Sequence, residues 1–441
     1  MAQVYRPSRA GKHKAKQAAI QRDVKVSALD HQGRGVVRDT RGVRFVSGAL
    51  SNEVIDFQPQ GKWQGELVKI KEPAAERVSA PCPYYQDCGG CDLQHLELAA
   101  QRQHKQQVVS ELFAKFAEHQ IANWESPLTA DAWRYRRRLR LACHWDGKRR
   151  RLKLGLRQAS SKAIVEINDC LISDEALTRL LAPLRDLLAQ LALVSQLGHV
   201  ELIATNVVSV VLRLHHMPAA ADLGRLTNFA QQHQVHFWLQ SDGAAPQPLD
   251  PQQGMPSYTS WLTELSFQPG DFLQAHGQLS VALVKQALHW LDPQAQDKVL
   301  ELYAGSGNFS LPMAKQGAQV TAIEGVQSMV DRLLQNAHQH GLDISAFQAD
   351  LSQDWQHYDW AHTEFNKVLL DPARAGAAHA IKEVCARQPQ RVIYVSCAPD
   401  TLARDAKILL AAGYRLERAQ IVDMFPQTHH IECLTWFERE A

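Results

Sequence analysis

The sequence predicts a multidomain α/β protein that closes on a doubly wound, mostly parallel sheet. Three observations carry that prediction. From Leu265 onward, apolar runs at 299–303, 320–323, 367–370 and 391–395 alternate with amphipathic stretches at 280–291 and 327–340, as strands buried on both faces alternate with crossover helices. The first of these runs leads directly into a glycine-rich turn, Gly305-Ser306-Gly307. By contrast, residues 24–71 break into five short runs (24–26, 35–37, 43–46, 53–57 and 65–70) punctuated by Gly33, Gly42, Gly48 and Gly61, which predicts a small N-terminal β-barrel.

These patterns divide the chain into a basic flexible arm at 1–22, a barrel at 23–75, a mixed α+β central domain at 76–260 and a C-terminal α/β domain at 261–441. The arm carries Arg6, Arg9, Lys12, Lys14, Lys16 and Arg22 with no acidic residue, an electrostatic footprint suited to a phosphate backbone. Arg34, Arg38, Arg41, Arg44 and Lys62 give the barrel a similar character. The central domain opens with Pro73, Pro81 and Pro83, then a stretch of helical spacing at 93–119, and then the cationic run Arg134, Arg136, Arg137, Arg138 and Arg140. That run is either a grip on RNA or a solvated strand face. With 441 residues, 45% hydrophobic and 21% charged, the chain has the composition of a soluble protein with more than one core. It holds no apolar run of the ~18 residues that a membrane span needs, and its polar start has no signal-peptide core. A cytoplasmic protein with reduced thiols is expected.

The glycine turn at 305–307 follows a strand and precedes a helix, where small residues let a nucleotide approach the backbone. A second strand ends in Glu324, nineteen residues past Gly305, placed to accept hydrogen bonds from ribose hydroxyls. Ser310 stands where a dinucleotide fingerprint has its third glycine, and Glu301 lies in the strand before the turn. This combination favours S-adenosylmethionine, whose methionine end is cationic, over a nicotinamide cofactor.

Two further strands end in Asp371-Pro372-Ala373-Arg374 and Ser396-Cys397-Ala398-Pro399, at the sheet edge where ligands of such folds bind. Carbon 5 of uracil is a poor nucleophile. A thiolate adding at carbon 6 pushes electron density onto carbon 5, and Cys397 is placed to supply it. A base must then remove the carbon-5 proton, and Glu432 is the candidate.

Among the remaining cysteines, Cys82, Cys88 and Cys91 lie in a Pro/Gly-rich turn, and Cys170 offers a fourth ligand. Four thiolates at this spacing suit either a tetrahedral zinc or an iron–sulfur cluster. Cys143 sits in a strand-like stretch, and Cys385 and Cys433 read as packing residues.

Taken together, Asp271-Phe272-Leu273-Gln274, the turn 305–309, Asp371–Gly376, Val395-Ser396-Cys397, Thr401–Asp405 and Asp423-Met424-Phe425-Pro426 before Glu432 closely resemble the bacterial uracil-C5 RNA methyltransferases. The resemblance covers almost the whole chain. It implies Cys397 as nucleophile and Glu432 as base. It also implies Gln274, Tyr303, Asn308, Glu324, Asp350 and Asp371 as the S-adenosyl-L-methionine pocket of a Rossmann-like methyltransferase domain. His276, Tyr303 and Asp350 depart from the family pattern, which has Asn, Phe and Asn there. Cytosine-C5 relatives carry a second cysteine after the proline where this chain has Ala373, which points to uracil. The barrel resembles the OB-like TRAM module, and in the ribosomal branch the positions of Cys82, Cys88, Cys91 and Cys170 hold a [4Fe–4S] cluster. The resemblance therefore implies 23S rRNA as the partner, no DNA and a monomeric enzyme. The rival readings are uracil methylation of another RNA such as tRNA, an iron–sulfur oxidoreductase, and a non-catalytic ribosome-assembly factor.

Overall fold

The computed structural model describes residues 18–39, 42–241 and 243–439. The expected basic arm lies outside the described residues except for its last five, and so does Arg41. The chain forms two compact units, divided between Arg77 and Val78.

Among the described residues of the first unit the expected five strands are six: Gln21–Lys25, Ala28–Leu29, Gly35–Asp39, Gly42–Val46, Val54–Gln60 and Gln64–Glu72. They form one sheet in the order first, fifth, sixth, fourth, third, second. Between the two outermost strands, Val26 N donates to Glu53 O and Ser27 N to Val36 O, so the sheet curls onto itself. Inside the curl Val26, Val37, Val46, Ala49, Ile55 and Phe57 are fully buried. A Cβ at Gly65 would lie 2.6 Å from the Phe57 ring, so only glycine lets that strand cross the core. Two of the expected RNA-facing cations have structural work instead. Arg34 pairs with Asp30, and the buried Arg44 donates to the carbonyls of Gly61 and Lys62.

The second unit holds two large sheets. One has seven strands in the order Ile164–Glu166, Arg151–Arg157, Arg138–Asp146, Leu197–Ala204, Val208–Leu214, Val235–Ser241, Gln247–Pro248. Helices Leu181–Ala189 and Ala220–His233 supply Leu181, Leu184, Leu188, Leu226 and Phe229 to its core. The other has eight strands in the order Ile344–Gln348, Gln319–Glu324, Lys298–Leu302, Lys367–Leu370, Arg391–Ser396, Glu432–Arg439, Tyr414–Val422, Trp124–Leu128. Its first five strands run parallel. Glu432–Arg439 is antiparallel to both its neighbours. The four expected strands are therefore present, in the expected doubly wound arrangement.

The outermost strand, Trp124–Leu128, comes from the segment assigned to the central domain, as does the helix before it. Leu98–Leu112 continues through a π-helical turn, Phe113–Ala117, and Val108, Val109 and Phe113 are buried in the core beneath the large sheet. Pro127 is tolerated in the strand because the edge needs no further amide donors there.

Candidate active site and cysteine cavity

Strand ends build the main pocket. Beyond the carboxyl ends of the parallel strands lies a cavity of about 350 Å³ lined by Gln274, Tyr303, Asn308, Glu324, Asp371, Cys397 and Glu432. Seven of the eight expected catalytic and cofactor residues thus share one pocket. Asp350 does not line it: its carboxylate accepts hydrogen bonds from the backbone and hydroxyl of Ser352 and from Gln353, folding the following turn. Tyr258, Phe272, Phe309 and Met329 complete the wall and were not anticipated as site residues. Phe272, within the quoted stretch 271–274, is 67% exposed and stands as an apolar face at the pocket.

The glycine turn fits an adenosyl group on its own geometry. Gly307 has φ +101°, and a Cβ there would lie 2.3 Å from Leu311 Cδ1. Only glycine keeps the backbone open at this point. Glu324 is pinned by Gly305 N and Val326 N, each at 3.0 Å, which leaves lone pairs for ribose hydroxyls. Asn308 Oδ1 is buried without a hydrogen-bond partner, an unmet requirement that a polar ligand in the pocket would satisfy. Tyr303 takes a left-handed conformation, φ +63°, a strain of the kind found at functional turns. Glu301 differs from expectation. It is buried beneath the turn, accepts the Ser310 hydroxyl, and burial pushes its carboxyl up to about 8. Ser310 thereby explains the absent third glycine: it satisfies a buried acid, and Glu301 is no direct partner for a cationic ligand.

Cys397 follows strand Arg391–Ser396 and precedes Ala398, the N-cap of helix Pro399–Ala411. Burial pushes its thiol up to about 11, the carboxylates of Glu432 and Asp371 add to this, and Arg374 opposes it. Burial likewise raises Asp371 to about 7. Glu432, 3% exposed, is raised well above the usual carboxylate range by burial and then by Asp371. At neutral pH this pair retains a proton. Helix Pro399–Ala411 also fixes the neighbouring loop: the buried Asp405 accepts from Ala377 N at 2.6 Å and from the Tyr394 hydroxyl at 2.9 Å. Thr401 and Arg404 donate to Arg374 O and Ala375 O.

Most of the arginine run works inside the protein. Arg138 forms a double hydrogen bond with Glu201 and donates to Asp271 O. Arg137, 8% exposed, donates to Gln274 O and lies over the Tyr258 ring. Arg134 pairs with Asp169. Arg136 and Arg140 instead face a second cavity.

That cavity, of about 270 Å³, is lined by Cys82, Cys88, Cys91 and Cys170 together with Tyr85, Arg136, Arg140, Thr428 and His430. The four expected ligands all line this one cavity. Gly90 N donates to Cys88 Sγ at 3.4 Å, an amide placed to stabilise negative sulfur. Among the described residues, no three His, Cys, Asp or Glu side chains already stand in ion-holding geometry. The donor set, four soft sulfurs with no carboxylate among the lining residues, suits a thiolate-bound centre. Cys143 does not line the cavity, and Cys433 is fully buried in the core.

The family model described as tRNA (Uracil-5-)-methyltransferase matches residues 262–440. The 23S rRNA (uracil(1939)-C(5))-methyltransferase RlmD of Shewanella sp. (strain ANA-3) is 41% identical over 437 residues, covering 96% of this chain and 97% of its own length. RlmD of Shewanella halifaxensis is 42% identical over 432 residues, with the same coverage. Among solved structures, the Pyrococcus abyssi tRNA (uracil-54, C5)-methyltransferase in complex with S-adenosyl-L-homocysteine aligns with a TM-score of 0.74 at 19% identity, over 94% of this chain and 99% of that one. The last comparison extends the likeness in fold to nearly the full chain.

Proposed function

The chain belongs to the RlmD family of uracil-C5 methyltransferases, and from that premise we propose that it methylates carbon 5 of one 23S rRNA uridine, the counterpart of position 1939 in its relatives' names, with Cys397 as nucleophile and Glu432 as base. One observation carries the assignment of roles: a cysteine and a buried acid of raised pKa share a pocket with the glycine turn and Glu324. When bound, S-adenosyl-L-methionine supplies an electrophilic methyl group. Gln274, Tyr303, Asn308, Glu324 and Asp371 bind and orient it. The Cys397 thiolate adds to carbon 6 of the uracil, and carbon 5 becomes the nucleophile that takes the methyl group as the donor's sulfur–methyl bond breaks and S-adenosyl-L-homocysteine leaves. Glu432, in its ionised form, then removes the carbon-5 proton. The released electron pair re-forms the carbon 5–carbon 6 double bond, the sulfur–carbon 6 bond breaks, and the thiolate is regenerated. The target base has to leave its stack to reach the thiol.

The rest of the chain selects the RNA in this reading. The curled N-terminal sheet is a TRAM module, and its exposed Trp63 and Lys62 offer the stacking face and charge that unpaired RNA binds. The four-cysteine cavity holds a [4Fe–4S] cluster with a structural or RNA-positioning role, supported by four thiols lining one cavity and room for more than a lone ion. The enzyme acts as a monomer in the cytoplasm, with no DNA partner. Incubation with labelled S-adenosyl-L-methionine and transcripts of 23S rRNA or tRNA tests the function: label should enter only the 23S transcript, at one uridine. Label in tRNA alone would overturn the choice of RNA, and label on cytosine would overturn the chemistry.

A further inference from the structure

The segment from Asp423 to Ile431 leads into Glu432, yet residues far earlier in the chain hold most of it. Lys105, 1% exposed on helix Leu98–Leu112, donates to Asp423 Oδ1 at 2.8 Å and to Phe425 O at 3.0 Å. Arg102 donates to the other oxygen of Asp423 at 2.9 Å. Gln101 takes both ends of Gln427: its Oε1 accepts from Gln427 N at 2.9 Å, and its Nε2 donates to Gln427 Oε1 at 3.1 Å. The Tyr135 hydroxyl donates to Pro426 O. Immediately after Cys91, Asp92 and Leu93 donate their amides to Gln427 O, and the Asp92 carboxylate accepts from His429 N at 2.9 Å. Thr428 and His430 face the cysteine cavity, whereas Glu432 faces the catalytic pocket. This loop is therefore the shared wall between the two cavities.

A buried Lys–Asp pair is costly to form and gives little net stability over an apolar pair, so its presence calls for another account. Fixed geometry is one, because a general base must sit within hydrogen-bond reach of its proton. Methyl transfer relies on Cys397 and the glycine turn, which stand on other strands. Only the elimination step relies on the end of this loop.

We propose that Lys105, Gln101 and Asp92 are positioning residues for Glu432: they clamp the 423–431 loop so that the base meets the carbon-5 proton, and thereby govern release of methylated RNA rather than methyl transfer. The inference rests on the assignment of Glu432 as base. It also ties the cysteine-bearing turn to the last chemical step through Asp92.

The test is single-turnover reaction of the full-length protein with labelled S-adenosyl-L-methionine and a 23S rRNA transcript, scored on denaturing gels for label in the protein–RNA adduct and in free RNA. Displacing a catalytic group by ~1 Å costs on the order of 100-fold. Lys105→Met should therefore form labelled adduct within about threefold of the wild-type rate and release RNA about 30-fold or more slowly, and Lys105→Arg should restore much of the release. Asp92→Ala, at a half-exposed pair, should show the same split to a smaller degree and serves if Lys105→Met does not fold. Glu432→Gln is the reference: if it traps no adduct, the assignment of the base fails. If it traps adduct while Lys105→Met and Asp92→Ala slow both steps equally, or neither, the clamp fails.

Discussion

Burying the nucleophile, and placing it beside two acids, has a measurable cost in the substrate-free enzyme. A thiol held at about 11 is ionised at pH 7.5 to roughly 3 parts in 10,000, against about 1 in 10 for an unperturbed cysteine. The more basic thiolate is intrinsically the better nucleophile, which returns roughly a factor of ten. Alkylation of Cys397 by iodoacetamide is therefore expected to run about 20- to 30-fold slower than that of free cysteine, and to climb nearly tenfold per pH unit to beyond about pH 10. The assay is mass spectrometry of the tryptic peptide 392–404, in which Cys397 is the only cysteine. Glu432→Gln removes the stronger of the two opposing carboxylates once it is ionised, so the alkaline limb of that variant's profile should move to lower pH. A wild-type rate within about threefold of free cysteine, with a midpoint near 8.5, would show that burial and the two acids do not hold the thiol as described.

Other expectations concern the same pocket and its neighbour. Burial raises Asp371 and Glu432, so at these two sites the folded protein binds more protons than the unfolded chain; their contribution to stability is full below the ordinary carboxylate range and is lost as pH rises through about 7. Melting temperatures between pH 5 and 9 should show this decline, and Asp371→Asn should flatten it; an unchanged slope refutes the attribution. Gly307→Ala, which drives a Cβ to 2.3 Å from Leu311 Cδ1 at positive φ, should weaken S-adenosyl-L-methionine binding at least about tenfold by calorimetry, for a cost of about 1.4 kcal/mol or more. Anaerobically purified protein should contain iron and acid-labile sulfide near four of each per chain, and Cys170→Ser should lose both. Stoichiometric zinc without sulfide would replace the cluster with a single ion.

What could be read in advance was what short stretches of chain encode. The glycine turn, Glu324, the Asp371 strand end and Cys397 all follow from a strand that stops beside a polar residue, because a parallel sheet gathers its carboxyl ends along one edge. Tyr258 gave no such signal, since it reaches the pocket from outside the large sheet. The work of Arg137 and Arg138 was equally hidden: a run of cations reads as an external face until Glu201, Asp271 O and Gln274 O are brought against it. Asp350 marks the opposite limit. It sits at a position that the family likeness favours, yet Ser352 and Gln353 take its carboxylate into a turn.

The helix and strand at 98–128 also bear on the order in which the chain takes shape. Arg102 and Asp423 are 321 residues apart, so at a synthesis rate of about 5–20 residues per second the ribosome needs on the order of 15–60 s to deliver the partner. For nearly all of that interval helix Pro399–Ala411, against which the helix and turn at 98–117 pack, has not been made. A nascent chain arrested near residue 400 should accordingly be cut by protease around 98–128 and be bound there by chaperones, and the full-length chain should resist. Protection of that stretch in the arrested chain would refute the expectation. The edge strand that completes the large sheet is thus among its earliest parts to be made and among its last to find a place.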